Sequence, residues 1–188
     1  MCIRDSGKVA LVTGGSRGIG EMIAAGLVAN GAKVYISSRK ADACVQTAAR
    51  VAEQFGGECI ALPADLSGLD GIAGLVESLT EREDHLDILV NNAGASWGAP
   101  LESFPEAGWD KVMDTNVKGP FFLVQQLLGL LEAGASAEDP ARVINIGSID
   151  AIRTSQFDNF SYGPSKAAIH AMTKQLGGRL VGRHILVN

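Results

Sequence analysis

Short apolar runs alternate along this chain with longer stretches of helical period. The runs at 9–13, 33–37, 59–63, 86–91, 142–147 and 185–188 are rich in Val, Ile and Leu and predict strands buried on both faces. Between the first four, Ile19/Ile23/Leu27, Val45/Ala48/Ala52/Phe55 and Ile72/Leu75/Val76/Leu79 recur at intervals of three and four, which predicts one apolar face per helix. Gly31 and Gly56 predict the stops of the first two. A further helical period runs from Ser161 through Ala168, Ile169, Met172 and Leu176. Strand and helix in strict alternation imply parallel strands joined by right-handed crossovers, hence an α/β, doubly wound open sheet with helices on both faces.

Sheets of this kind bind ligands beyond the carboxyl ends of their strands, where the strand order reverses. The unusual residues fall at those ends. Asp65 follows the third strand, Asn91-Asn92-Ala93-Gly94 the fourth and Ser148 the fifth, while 134–140 reads as an exposed connection.

Composition narrows the class. With 188 residues, 46% of them apolar, the chain can bury one sizeable core, and a single domain over 7–188 is expected. Sixteen basic against 21 acidic residues give a net charge of −5 with no Lys/Arg block, which argues against nucleic acid or an anionic membrane as partner. The longest apolar run, 121–131, is broken by Gln125 and Gln126 and is too short to span a bilayer. Residues 1–6 contain Arg4 and Asp5 and lack the apolar stretch of a signal peptide. Cys2, Cys44 and Cys59 form no C-x-x-C pair, and His85, His170 and His184 lack ligand-like spacing. No metal site is expected, and a soluble protein of a reducing cytoplasm is.

Candidate chemistry begins at Thr13-Gly14-Gly15-Ser16-Arg17-Gly18-Ile19-Gly20, between the first strand and the first helix. Small residues let the backbone turn tightly and approach a phosphate, and the free N–H groups of the following helix face the anion. The informative glycines are Gly14, Gly18 and Gly20 rather than the commoner G-x-G-x-x-G. The second strand ends Ser37-Ser38-Arg39-Lys40 with no acidic residue for a ribose 2′-hydroxyl, and Arg17 lies inside the loop. That pattern favours a 2′-phosphate, hence NADPH (NADP+) over NADH.

In the second half, Tyr162 and Lys166 stand four residues apart at a predicted helix start, since Pro164 is tolerated only in a first turn. An ammonium can then sit near a phenol. Bringing a tyrosine from about pH 10 to about 7 needs ~4 kcal/mol of preferential phenolate stabilisation. A cation at ~4 Å supplies a similar amount at an effective dielectric of ~20. Ser148 can hydrogen-bond a substrate carbonyl, and Asn116, read as the head of an apolar helix, can hold a proton-passing water through its amide or carbonyl.

These motifs together resemble the short-chain dehydrogenase/reductase family: TGGSRGIG for its T-G-x-x-x-G-x-G, Asn91-Asn92-Ala93-Gly94 for its N-N-A-G, and Tyr162-Gly163-Pro164-Ser165-Lys166 for its Y-x-x-x-K, over about residues 7 to 188. The resemblance implies a Rossmann-like fold and an oxidoreductase acting on CH–OH/C=O. It implies Tyr162 as general acid, Lys166 on the nicotinamide ribose, Ser148 polarising the carbonyl and Asn116 keeping a relay water. It also implies cofactor contacts from Gly14, Ser16, Arg17, Gly18, Ile19, Gly20, Arg39, Asp65, Leu66, Asn92, Ala93, Gly94, Tyr162 and Lys166, with Asp65 at the adenine. The segments 96–103 and 136–143 resemble bacterial 3-oxoacyl-[acyl-carrier-protein] reductases, including the rhamnolipid-linked type, with Trp97 either at the mouth of the site or packed. A carrier-bound acyl or small-molecule substrate is then expected, along with a homo-oligomer, a tetramer, for the full-length protein. Family members ordinarily carry an apolar lead-in to the position of Gly7-Lys8 and continue past that of Asn188, so residues 1–6 are expected to be a non-native or disordered leader and the domain to be C-terminally incomplete. Two alternatives stay open: a dehydrogenase of a sugar acid, secondary alcohol or steroid-like substrate, and a non-catalytic nucleotide-binding regulator on the same fold.

Overall fold

A computed structural model describes residues 5–188; Cys2 and most of the expected 1–6 leader lie outside them. Six strands, β1 (Val9–Thr13), β2 (Lys33–Ser37), β3 (Cys59–Ala61), β4 (Ile88–Asn91), β5 (Ala141–Asn145) and β6 (Ile185–Val187), form one sheet in the order β3-β2-β1-β4-β5-β6. Every pairing is parallel, so the order reverses between β1 and β4. Leu11 faces Tyr35 on one side and Leu89 on the other, which sets the carboxyl ends of β1, β2 and β4 level.

Helices cover both faces. On one side α1 (Gly18–Ala29) and α2 (Ala41–Phe55) pack Ala24, Val28, Cys44, Ala48 and Val51 on Ala10, Val12, Val34 and Ile36. On the other, α3 (Leu69–Thr80) and the pair α5 (Gly119–Gln126) and α6 (Leu128–Ala133) pack Ile72, Leu75, Leu79, Leu123 and Leu131 on Leu11, Tyr35, Leu89 and Val143. The last helix, α7 (Tyr162–Leu180), closes that second layer through Leu180 and Leu176.

The strand positions follow the apolar runs; β3, β4, β5 and β6 are shorter than their runs, β5 begins one residue earlier, and Leu62 and Leu86 are buried outside the ladder. The apolar faces of the first two helices differ from expectation. In α1 the buried stripe is Gly20/Ala24/Val28, and Ile19 is 57% exposed. In α2 it is Cys44/Thr47/Ala48/Val51, with Val45 and Phe55 exposed. Helices lying this close to a sheet bury their small side chains, and the larger apolar ones are turned aside. In α3 the expected face, Ile72/Leu75/Val76/Leu79, is the inner one, with Val76 half-buried at its margin.

One long helical stretch is interrupted. The segment α4 (Glu106–Met113) passes into a π-helical turn, Asp114–Lys118, before α5. Asn116 therefore lies inside a widened turn in mid-helix and not at a helix head.

Candidate active site at the switch point

The glycine loop leaves β1 at the point of strand reversal and is shaped by close approach. Thr13 is buried, and its hydroxyl donates to Val90 O (3.2 Å) while accepting from the N–H groups of Asn92 and Ala93, each at 3.0 Å. The Asn92 amide in turn donates to Thr13 O at 2.9 Å and Gly14 O at 3.3 Å. This lacing brings β1 and the post-β4 loop so close that a Cβ on Gly20 would stand 2.3 Å from Gly14 O and 2.5 Å from Asn92 Nδ2. Only hydrogen fits there. Gly18 is different: its φ of +58 needs glycine, but nothing lies within 4 Å of the space a Cβ would fill.

The loop is also bolted to the second strand. Gly15 N donates to Ser37 O at 3.1 Å, and the Thr47 hydroxyl of α2 donates to Ser16 O at 3.0 Å. Arg17, at the N-cap of α1, is exposed and makes no side-chain cap, so the first N–H groups of the helix keep their donors for an anion. Arg39 and Lys40 are exposed between β2 and α2. An open cradle, uncapped helix donors and three cations fit a phosphorylated dinucleotide.

Asp65 lies after β3, where its carboxylate accepts from Ser67 N (3.1 Å) and Ser67 Oγ (2.8 Å). Partial burial raises its pKa, but the Ser67 bonds and the charges of Arg39 and Lys111 outweigh that and hold it below the ordinary carboxylate value. Leu66 is buried among core residues, so only its main chain is free to meet a ligand. Its carbonyl packs so tightly on α5 that a Cβ on Gly119 would stand 2.6 Å from it.

The second cluster lies beyond β4 and β5. Tyr162 opens α7, and Lys166 Nζ lies 5.9 Å from the centre of its ring. Lys166 is 6% exposed and donates to Ile146 O at 2.6 Å, two residues before Ser148. Burial pushes its ammonium below the ordinary lysine value. Ser148 caps the short 3-10 turn Ile149–Ala151 by accepting from Asp150 N at 3.2 Å. That turn packs against α7 so closely that a Cβ on Gly163 would be 3.0 Å from Asp150 O.

Asn116 joins the two loops. Its Oδ1 accepts from Ala95 N (2.7 Å), and its Nδ2 donates to Ala95 O (2.9 Å) and to Ser165 Oγ (2.9 Å) in the first turn of α7. Both amide donors are thus committed to protein. A water would then have to be held through an oxygen of Asn116, and Pro120, four residues on, has no N–H to offer its main-chain carbonyl.

Trp97 is packing. Its ring covers Gly108 of α4, where a Cβ would meet it at 2.6 Å, and Lys111 Nζ lies 5.3 Å from its centre. The structure adds contacts that sequence reasoning passed over: those of the Thr13 hydroxyl, Ser165 and Thr47, and the part-buried chain Asn91 Nδ2 to Asn145 Oδ1 (2.9 Å) and Asn145 Nδ2 to Thr173 Oγ1 (2.9 Å). Only Thr13, the last residue of its strand before the glycines, carries a local signal. The others are short polar residues within helical or strand patterns and become visible through their partners.

A parallel sheet with a glycine cradle at its reversal, and a tyrosine–lysine pair fixed to the segment between β5 and Ser148, define a nucleotide-dependent oxidoreductase. Residues 8–188 match the short chain dehydrogenase family, and the chain belongs to that family. Over 183 residues it is 55% identical to the rhamnolipids biosynthesis 3-oxoacyl-[acyl-carrier-protein] reductase of Pseudomonas aeruginosa, covering 97% of this chain and 71% of that protein. The solved Pseudomonas aeruginosa RhlG/NADP active-site complex superposes with a TM-score of 0.95 at 54% identity, covering all of this chain and 72% of that one. The L-sorbose reductase of Gluconobacter frateurii, solved with NADPH and L-sorbose, follows at 29% identity and TM-score 0.92, with 100% and 70% covered. Among the described residues no helix is long and apolar enough to cross a membrane.

Proposed function

We propose that this protein reduces the ketone of a 3-oxoacyl thioester to a secondary alcohol with NADPH. The observation that carries the reading is the placement of Lys166: buried, fixed to Ile146 O, beside the Tyr162 ring and next to the strand end that bears Ser148. A regulator that only senses a nucleotide has no use for a desolvated cation beside a phenol. The 55% identity to a 3-oxoacyl-[acyl-carrier-protein] reductase supports the substrate class, and Arg17 with Arg39 supports NADPH.

Gly14, Ser16, Gly18, Ile19 and Gly20 would hold the shared phosphates, Arg17 and Arg39 a 2′-phosphate, Asp65 and the Leu66 main chain the adenine, and Asn92, Ala93 and Gly94 would brace the nicotinamide side of the pocket. The nicotinamide supplies the hydride when bound. The Ser148 hydroxyl donates to the ketone oxygen and orients it. Tyr162 Oη gives that oxygen its proton as charge develops. The Lys166 ammonium favours the resulting phenolate and also holds the ribose. The Asn116 carbonyl positions the water that returns a proton to this pair. Assembly as a homo-oligomer, with a carrier protein delivering the acyl chain, belongs to the same reading.

Purified protein mixed with NADPH and a 3-oxoacyl carrier or thioester substrate should lose absorbance at the nicotinamide band. Tyr162→Phe should lower kcat by at least about 100-fold while leaving NADPH binding within about twofold. Undiminished turnover in that variant would remove Tyr162 from the chemistry, and faster turnover of sugar ketones than of 3-oxoacyl thioesters would move the substrate class.

A further inference from the structure

Outside the residues given roles above, a buried side chain of α2 hydrogen-bonds the glycine loop. Thr47 lies in the second turn of α2, 3% exposed, and its hydroxyl donates to Ser16 O at 3.0 Å. Ser16 is the last residue before Arg17, so the carbonyl that Thr47 holds belongs to the peptide whose N–H is that of Arg17. A trans peptide is planar, with its C=O and N–H pointing opposite ways, and the described residues contain no cis bond. Drawing the Ser16 carbonyl toward α2 therefore turns the Arg17 N–H away from α2. Arg17 itself is extended, at φ −167, and caps α1 without a side-chain bond.

The same helix begins at Ala41, directly after Arg39 and Lys40. One hydroxyl thus couples the two segments that carry the candidate 2′-phosphate cations. A second tie, Arg50 Nη2 to Glu21 Oε1 at 2.5 Å, joins α2 to α1 further along but is exposed, so it is screened and weak. Gly15, bonded to Ser37 O, anchors the loop at the residue before, and Thr47 supplies the side-chain bond to the Ser16–Arg17 peptide.

We infer that Thr47 is a positioning residue for cofactor choice: its bond to Ser16 sets the aim of Arg17 and the spacing of Arg17 from Arg39, and so the preference for a ribose that carries a 2′-phosphate. This rests on the NADPH reading above. Loss of the bond should weaken recognition of the extra phosphate more than recognition of the shared dinucleotide, because Gly14, Gly18, Gly20 and the strap from Asn92 do not depend on α2.

The test compares wild type with Thr47→Val, Thr47→Ser and Thr47→Cys. Binding of adenosine 2′,5′-bisphosphate and of 5′-AMP is measured by calorimetry, alongside kcat/KM with NADPH and NADH. Thr47→Val should lose about tenfold in the ratio of the two nucleotide affinities and in the NADPH/NADH ratio, while 5′-AMP binding moves less than about twofold. Thr47→Ser, which keeps the hydroxyl, should hold the wild-type ratio. If Thr47→Val does not fold, Thr47→Cys, with a weak donor in a similar volume, should show an intermediate ratio. Equal loss for both nucleotides, or an unchanged ratio in Thr47→Val or Thr47→Cys, overturns the inference. A wild type with no preference for the 2′-phosphate overturns the NADPH reading instead, and the two failures are told apart by the wild-type ratio alone.

Discussion

Lys166 shows how a single residue can serve chemistry at a cost in stability. It is buried to 6% exposure with a carbonyl as its partner, and burial alone lowers its pKa. An unfolded lysine holds its proton to about pH 10.4, so between the lowered folded value and that point the unfolded state binds more protons. Stability therefore rises with pH across that window, and at neutral pH the protein carries the whole desolvation penalty. Lys166→Met should consequently be at least as stable as wild type at pH 7 by urea denaturation, with turnover lost. A Met variant much less stable than wild type would mean that the bond to Ile146 O outweighs the desolvation. Tyr162 and Lys166 were legible as a pair from their spacing, since four residues make one helical turn. The use of the Asn116 amide was not, because Ala95 and Ser165 are 21 and 49 positions away.

At the scale of elements, glycines divide by what surrounds them, and their identity in the sequence does not say which kind each is. Gly119 opens α5 against the carbonyl of Leu66, where a Cβ would stand 2.6 Å from a main-chain oxygen that cannot swing aside. Gly26, on the exposed side of α1, has nothing within 4 Å. Alanine favours a helix over glycine by about 1 kcal/mol, so Gly26→Ala should stabilise by about 0.5–1 kcal/mol. Gly119→Ala should destabilise by about 1–3 kcal/mol and loosen the loop that carries Asp65. Urea midpoints of the two variants, read against wild type, check both signs, and stabilisation by both would show that α5 can retreat from Leu66. Helices α1, α2, α3 and α7 were legible as periods of three and four. Their buried faces in α1 and α2 were not, because apolar residues such as Ile19 and Val45 mark a periodic stripe as readily as the small residues that the sheet actually accepts.

For the whole molecule, the edge opposite the site is held by charge. Lys8 Nζ bonds Asp87 at 3.0 Å and Asp139 at 2.5 Å, joining β1, the approach to β4 and the connection before β5. Glu83 Oε1 takes Tyr35 Oη at 2.5 Å and Lys33 Nζ at 2.7 Å, joining β2 to the turn after α3. Burial raises the Glu83 pKa, but its bonds from Lys33 and Tyr35 outweigh that and bring it below the ordinary carboxylate value. Tyr35, pushed up to about 12 first by burial and then by Glu83, stays a donor throughout. Because the folded carboxylate titrates below the unfolded one, its stabilisation is present above pH ~4.3 and lost as pH falls through the folded value. Urea unfolding between pH 7 and pH 3 should show stability falling toward acid, and Glu83→Gln should flatten that slope. An equal slope in the variant would place the acid sensitivity elsewhere.

The sequence by itself determined the alternation of strand and helix, the parallel sheet, the glycine loop between β1 and α1, and the Tyr162–Lys166 spacing, because each is written in residues close together along the chain. The tertiary structure alone decided that Asn92 straps Gly14, that Asn116 ties Ala95 to Ser165, that Thr47 holds Ser16 and that Trp97 lies on Gly108. These contacts join residues from 11 to 78 positions apart. A short polar side chain carries no local sign of which distant backbone group it will meet; that is settled only when the sheet brings the strand ends level and the helices close over them.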